Sequence, residues 1–151
     1  MRDTMHRVQC QSCRSVAGEV SLTLGTRIDL DEHWMIEHCD PVSMAGWFVL
    51  VLKRHARALH ELTDDEWRSF GAWMPRIMRA MHAVSGCEVE YVVQFAEGPG
   101  FAHVHFHLMP RGGDWPEGLR GPRVFGAFGA GPLVDGDEQT RLVEALRAAL
   151  A

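Results

Sequence analysis

Hydrophobic residues recur along this chain with two periods, and the switches between them mark where strands give way to helices. From His103 to Met109 the residues His-Val-His-Phe-His-Leu-Met alternate strictly. Successive strand side chains point to opposite faces, so three imidazoles share one face while Ala102, Val104, Phe106 and Leu108 form an apolar stripe on the other. Trp47 to Leu52 is an unbroken apolar run that predicts a buried strand, with Asp40-Pro41 and Gly46 bounding the loop before it. Residues 26–30 and 33–37 predict a hairpin pair. Val89 to Phe95 predicts a further strand, joined through the tight loop Ala96 to Gly100 to the histidine strand as an antiparallel hairpin.

The helical period begins at Thr63-Asp64-Asp65-Glu66, a capping box, after which Trp67, Phe70, Met74, Ile77, Met81 and Val84 recur at helical spacing. Ser85-Gly86 ends this main helix, and Pro75 inside it predicts a kink. Asp137 to Leu150, with Leu142, Leu146 and Leu150 on one side, predicts a terminal amphipathic helix. Between the histidine strand and that helix, residues 112–132 are rich in Gly and Pro but carry Trp115, Phe125 and Phe128, the pattern of an irregular segment that packs. Residues 1–9 read as a loose lead-in. These elements predict an α+β fold: an antiparallel sheet of about five strands, one long packed helix and a C-terminal helix.

The chain has 151 residues, 46% hydrophobic and 23% charged, which fits a single domain spanning 1–151 with one core. Its net charge of -5 gives no footprint for a polynucleotide partner. No apolar run reaches the roughly 18 residues of a membrane span, and Met1 to Arg7 is polar where a signal peptide would turn apolar, so no membrane partner and a cytoplasmic location are expected.

Three imidazoles in register invite a shared metal, but geometry opposes one ion. At a rise of about 3.3 Å per residue His103 and His107 stand roughly 13 Å apart, whereas each ligating nitrogen must lie within about 2 Å of the ion. The same distance disfavours a metalloenzyme built on all three. Separate tasks follow, and imidazole, largely neutral near pH 7, makes one of the central pair a candidate nucleophile at phosphorus. Cys10 and Cys13 can both reach one ion from a tight turn, with a redox pair or an idle pair as alternatives. Cys39 and Cys87 read as small buried hydrophobes.

His103 to Met109 matches the His-x-His-x-His-x-x signature, x apolar, and the chain thereby resembles the histidine triad (HIT) family of nucleotidyl hydrolases and transferases. Gly46-Trp47-Phe48-Val49-Leu50-Val51-Leu52-Lys53-Arg54-His55 is similar to the family's Gly-His-x-Leu-Val-Ile-Pro-Lys-Arg-His strand, and Cys10-Gln11-Ser12-Cys13 to the Cys pair of its zinc-containing members. The resemblance runs from about residue 10 to Arg111. It implies a HIT-like fold, a homodimer, and a nucleotide substrate cleaved at its α-phosphate, either a dinucleoside polyphosphate or a nucleoside phosphoramidate. In that chemistry His105 is the nucleophile that carries a covalent nucleoside monophosphate, and His107 contacts the phosphate oxygens or leaving atom. A structural zinc held by Cys10, Cys13, His55 and His103 is implied as well.

The resemblance further places a ribose contact at His38, base-flanking positions at Ile36 and Cys39, and phosphate contacts at Gln94 and the backbone amides of Gly100 and Phe101. Departures from the family pattern limit the transfer. Gly98-Pro99-Gly100 stands where many members carry Gly-Gln-Ser or Gly-Gln-Thr, which removes a phosphate-binding hydroxyl and leans away from phosphoramidates. Trp47 replaces the family's His and Leu52 its Pro, while Gln11 and Ser12 are polar near the base. An inactive nucleotide-binding or interaction module of the same fold is the second expectation.

Overall fold

The computed structural model describes residues 10–20 and 27–151. The expected lead-in over residues 1–9 and the Thr26 start of the first strand lie outside them. A short helix, α1 (Gln11–Val16), precedes the strands β1 (Arg27–Asp29), β2 (Trp34–His38) and β3 (Phe48–Leu52). The long helix α2 (Asp64–Ser85) follows, then strands β4 (Val89–Val93) and β5 (His105–Arg111), and the terminal helix α3 (Gly136–Leu150). The five strands form one antiparallel sheet in the order β1-β2-β3-β5-β4.

Alternation along the strands divides the sheet's side chains between two clusters. One face, with Trp34, Ile36, Leu50, Leu52, Val104, Phe106 and Leu108, is covered by Ile77 and Met81 of α2 and by Leu142, Val143 and Leu146 of α3. The other carries Met35, Val49, Val51 and Met109, packed against Trp47, Val124 and Ala127. Residues 112–132 therefore do pack, through short 3-10 turns at Glu117–Leu119 and Gly121–Ala127.

Helix α2 starts at the expected capping box, with Thr63 and Glu66 each satisfying the other's backbone amide, and ends at Gly86 in the left-handed conformation. It runs uninterrupted through Pro75 because the burial of Ile77, Ala80 and Met81 outweighs one lost backbone hydrogen bond. Asp31, in the β1–β2 turn, accepts from the backbone amides of His33 and Trp34 at 2.8 and 2.9 Å and from Trp73 Nε1 of α2 at 2.7 Å. That one carboxylate fixes the hairpin and docks it to the helix.

The Lys53-Arg54-His55 block diverges at the end of β3. Lys53 Nζ donates to the Asp31 carbonyl at 2.6 Å, and Arg54 clasps the buried Glu66 carboxylate at 2.7 and 2.8 Å. This pair holds the Glu66 carboxyl down at about 2. His55 turns the other way, toward the cysteines.

No helix among the described residues is long and apolar enough to cross a membrane.

Candidate active site

Strand β5 begins at His105, two residues later than the alternating pattern predicts, because the chain bends at His103. Only His105 and His107 share the strand, with their rings 5.1 Å apart. His105 Nδ1 lies 2.7 Å from the His103 carbonyl. A carbonyl only accepts, so Nδ1 carries the proton and Nε2, on the opposite edge of the ring, keeps its lone pair. His107 has the opposite tautomer. Its Nδ1 accepts from Trp47 Nε1 at 3.1 Å, and an indole nitrogen only donates, which leaves Nε2–H as a donor.

Burial lowers the basicity of both rings and keeps them neutral: His105 falls below its ordinary value, and His107, also repelled by His105, drops to about 4. The pair therefore presents one bare nitrogen and one N–H at neutral pH.

The two rings line a cavity of about 460 Å³. Val49 and Val51 floor it, Phe95 and Phe101 stand on one side, and Phe125 and Phe128 come from the irregular segment. Phe125 packs edge-on against both His107 and Trp47. The sequence marked Phe125 and Phe128 as packing residues; their place beside the triad needed the tertiary fold.

Four ligand atoms converge beyond the other end of the triad. Cys10 Sγ and Cys13 Sγ each lie 3.4 Å from His103 Nδ1, Cys13 Sγ is 3.2 Å from His55 Nδ1, and all four atoms fall within 4.8 Å of one another. The three sulfur–nitrogen separations match the edges of a tetrahedron around an ion bound by sulfur at about 2.3 Å and nitrogen at about 2.0 Å. His103 Nε2 donates to the Leu52 carbonyl at 2.6 Å, which aims the Nδ1 lone pair at the cluster. The residues fit a metal ion, and the four of them would close its coordination shell.

The positions expected to contact nucleotide divide. His38 reaches the cavity wall, but its ring lies with Phe48, a side chain of the helix-covered core. Its Nδ1 bonds the Cys39 carbonyl at 2.7 Å and its Nε2 accepts the Gly46 amide at 3.0 Å, so neither nitrogen is left for a ribose. The ring instead secures the turn at Gly46, where a positive φ and the Pro110 ring, 3.1 Å from where a Cβ would stand, favour glycine. Phe101 lines the cavity, yet its amide donates to the Gly98 carbonyl at 2.8 Å rather than outward. Gln94 and Gly100 are not lining residues. Gln94 follows Val93, the register partner of His107, so alternation turns it to the other face, and the Gly100 carbonyl accepts from Gln11 of α1 at 2.8 Å.

Trp47, behind His107, and Glu37, in the cavity lining, are two residues to which the sequence assigned no role. The only signal for Trp47 was its place where the family has His. Glu37, 4% exposed, lines the cavity from β2, and burial pushes its carboxyl up to about 7.

The HIT domain family matches residues 28–114, more than half of the chain. The chain belongs to the HIT domain family. No curated protein matches it. A zinc-bound histidine triad family protein from Mycobacterium smegmatis shares 21% identity at TM-score 0.66, covering 95% of this chain and 94% of that one. A hypothetical histidine triad nucleotide-binding protein from Sulfolobus tokodaii is similar at TM-score 0.71 and 16% identity, with coverage of 93% and 91%. A HIT-like protein from Bartonella henselae has TM-score 0.67 and 16% identity, with coverage of 90% and 92%. At these identities the likeness is one of fold. HIT membership supports nucleotide binding or hydrolase and transferase chemistry in general. Cys10, Cys13, Phe125 and Phe128 all lie outside the matched span.

Proposed function

We propose that this HIT protein is a nucleotidyl hydrolase or transferase that works through a nucleotidyl-histidine at His105. The single observation that carries the reading is the 2.7 Å bond from His105 Nδ1 to the His103 carbonyl, which orients an unprotonated Nε2 on a cavity-lining ring. That nitrogen attacks the α-phosphorus, a phosphorus–nitrogen bond forms, and the bond to the leaving group breaks. The His103 carbonyl steadies the positive charge that develops on the ring. His107, as the neutral Nε2–H donor set by Trp47, supplies a hydrogen bond to a phosphate oxygen or to the departing atom, which takes its proton from solvent. Water then displaces the nucleotide and regenerates neutral His105.

The leaving group is chosen by electrostatics. Among the described residues the cavity lining holds Asp40 and Glu97, apart from the protonation-prone Glu37, and no Lys or Arg. A leaving group without further negative charge, such as the amine of a nucleoside phosphoramidate, meets less repulsion there than the remainder of a dinucleoside polyphosphate. The missing hydroxyl at Gly98-Pro99-Gly100 favours the polyphosphate instead, and the charge of the lining outweighs it in this reading.

Zinc is the ion proposed for the Cys10, Cys13, His55 and His103 cluster, since two sulfurs and two nitrogens suit it and four protein ligands leave no open position. It would supply structural closure, tying the start of α1 and the end of β3 to the bend before β5. The nucleotide reading is tested with a panel of adenylated and guanylated phosphoramidates and dinucleoside polyphosphates, followed by release of monophosphate. Turnover should disappear in His105→Ala while monophosphate binding persists, and mass spectrometry should find a nucleotidyl adduct on the parent. Binding without turnover or adduct in the parent would establish the inactive nucleotide-binding module instead.

A further inference from the structure

We propose that Glu37 and Ser12 form the base-reading end of the cavity and select guanine over adenine. The inference rests on the nucleotide reading above and concerns the opposite end of the same cavity.

The sheet register places Glu37. On β3, Val49 pairs with Glu37 on one side and with His107 on the other, so all three side chains leave the same face. With strands about 4.8 Å apart, Glu37 and His107 stand about 10 Å apart across the sheet. That is the span from a nucleotide's phosphorus to the far edge of its base. A phosphate held at the imidazoles directs its base toward Glu37.

The surroundings of Glu37 are wrong for a merely tolerated carboxylate. Its neighbours on that face are Met35, Val49 and Val51, and no described cation lies within ion-pair distance of it. Arg27, opposite it on β1, attracts it from further away but is committed to the Ser15 carbonyl at 2.8 Å and, at 3.5 Å, to Asp29. Among the described residues, the Ser15 hydroxyl is the side-chain donor that reaches Glu37. A carboxylate has about four acceptor sites, so one hydroxyl leaves capacity for a ligand. Burial that lifts the carboxyl to about 7 is the cost that a pair of ligand N–H groups would relieve.

Base chemistry identifies the ligand. Guanine presents N1–H and the 2-amino group side by side, two donors matched to the two oxygens of a carboxylate. Adenine offers its 6-amino donor beside the N1 lone pair, which the ionised carboxylate repels, so the contrast is read above pH 7, where Glu37 has lost its proton. Hypoxanthine has the N1–H but lacks the second donor. Ser12 of α1, also 4% exposed and lining the cavity, adds a hydroxyl at the same end. Ser12 and Glu37 thus offer a hydroxyl and a carboxyl to a base in the same cavity whose imidazoles take the phosphate.

The competing role is a structural tether, in which Glu37 only anchors α1 through Ser15. Calorimetric binding of GMP, IMP and AMP to the full-length, metal-replete protein separates the two. Base reading predicts GMP at least tenfold tighter than IMP and AMP, and Glu37→Gln, which offers one donor and one acceptor, should lower the GMP-to-AMP ratio tenfold or more. A tether predicts a lower melting temperature and lost metal in that variant with the ratio unchanged, which would overturn the proposal. Should Glu37→Gln not fold, the parent's GMP-to-IMP ratio still decides, since only the 2-amino group differs; equal affinities would sink it. Turnover without base preference would refute base reading and leave the hydrolase standing. GMP preference without turnover would do the reverse, and binding of none of the three would overturn both.

Discussion

At the scale of the residue, the chemistry of this site depends on which nitrogen of each imidazole holds the proton, and two neighbours decide it. The His103 carbonyl makes His105 a nucleophile, and the Trp47 indole makes His107 a donor. Indole cannot accept a proton, so it holds His107 in one tautomer at every pH at which the ring is neutral. Protonating Nδ1 would set two N–H groups against each other, a repulsion that acts in the same direction as the burial lowering His107 to about 4. Trp47→Phe should therefore lower kcat about tenfold, leave nucleotide affinity nearly unchanged, and move the acid limb of the pH profile upward. Trp47→His should restore part of the rate, because histidine can donate the same bond. An unchanged kcat and acid limb in Trp47→Phe would show that the bond has no part in turnover.

At the scale of the element, α1 is anchored to the rest of the fold at its two ends. Its N-terminal end joins the bend at His103 through Cys10 and Cys13, and the Gly100 carbonyl grips Gln11. Arg27 of β1 holds its C-terminal end through the Ser15 and Val16 carbonyls. A helix of six residues is too short to persist alone, so its place depends on these ties. Cys13→Ser should lower bound zinc from about one per chain toward none and reduce the melting temperature in parallel, measured by metal analysis and calorimetry. Activity should fall less than in His105→Ala, since an ion held by these four residues would touch no reacting atom. Full metal content with an unchanged melting temperature would reject the metal centre in favour of an idle or redox pair.

At the scale of the whole molecule, two buried groups pull stability in opposite directions as pH changes. His107 is neutral when folded and binds a proton more readily when unfolded, so its contribution is complete above about 6.5 and is lost as pH falls toward about 4. Glu37, raised to about 7, holds its proton more tightly when folded, so its contribution is complete below about 4.5 and is lost as pH rises to about 7. Between those limits the two offset. Glu37→Gln removes one side of the balance, and its stability should fall more steeply than the parent's between pH 6.5 and 4.5, by about 2 kcal/mol over the interval. Chemical denaturation at matched zinc content measures this, and parallel curves for the two proteins would contradict it. The sheet also ends in an open edge, β4, on which Val89 and Val92 are exposed. We propose the homodimer implied by the family resemblance through this edge. Sedimentation should give twice the chain mass, with Val92→Lys shifting it toward one.

What the sequence determined by itself was what local physics controls. Apolar runs and alternation located the strands to within a few residues, the Thr63–Glu66 reciprocity specified the start of α2, and the spacing of His, Cys and Lys-Arg-His blocks named the family. Each is decided within a few residues, by strand or helix periodicity or by a side chain reaching its own backbone. The tertiary structure decided which side chains meet. His38 had the expected position in the chain, but the carbonyl of Cys39 and the amide of Gly46 took its nitrogens. The loop at Gly98-Pro99-Gly100 had the glycines expected of a phosphate contact, but it folded onto itself and onto α1. Trp47 meets His107 across 60 residues of chain, and Phe125 reaches the same ring from a segment with no regular period. Such partners are chosen by strand order and register, which depend on the sum of burial over the whole sheet, and no window of sequence contains that sum.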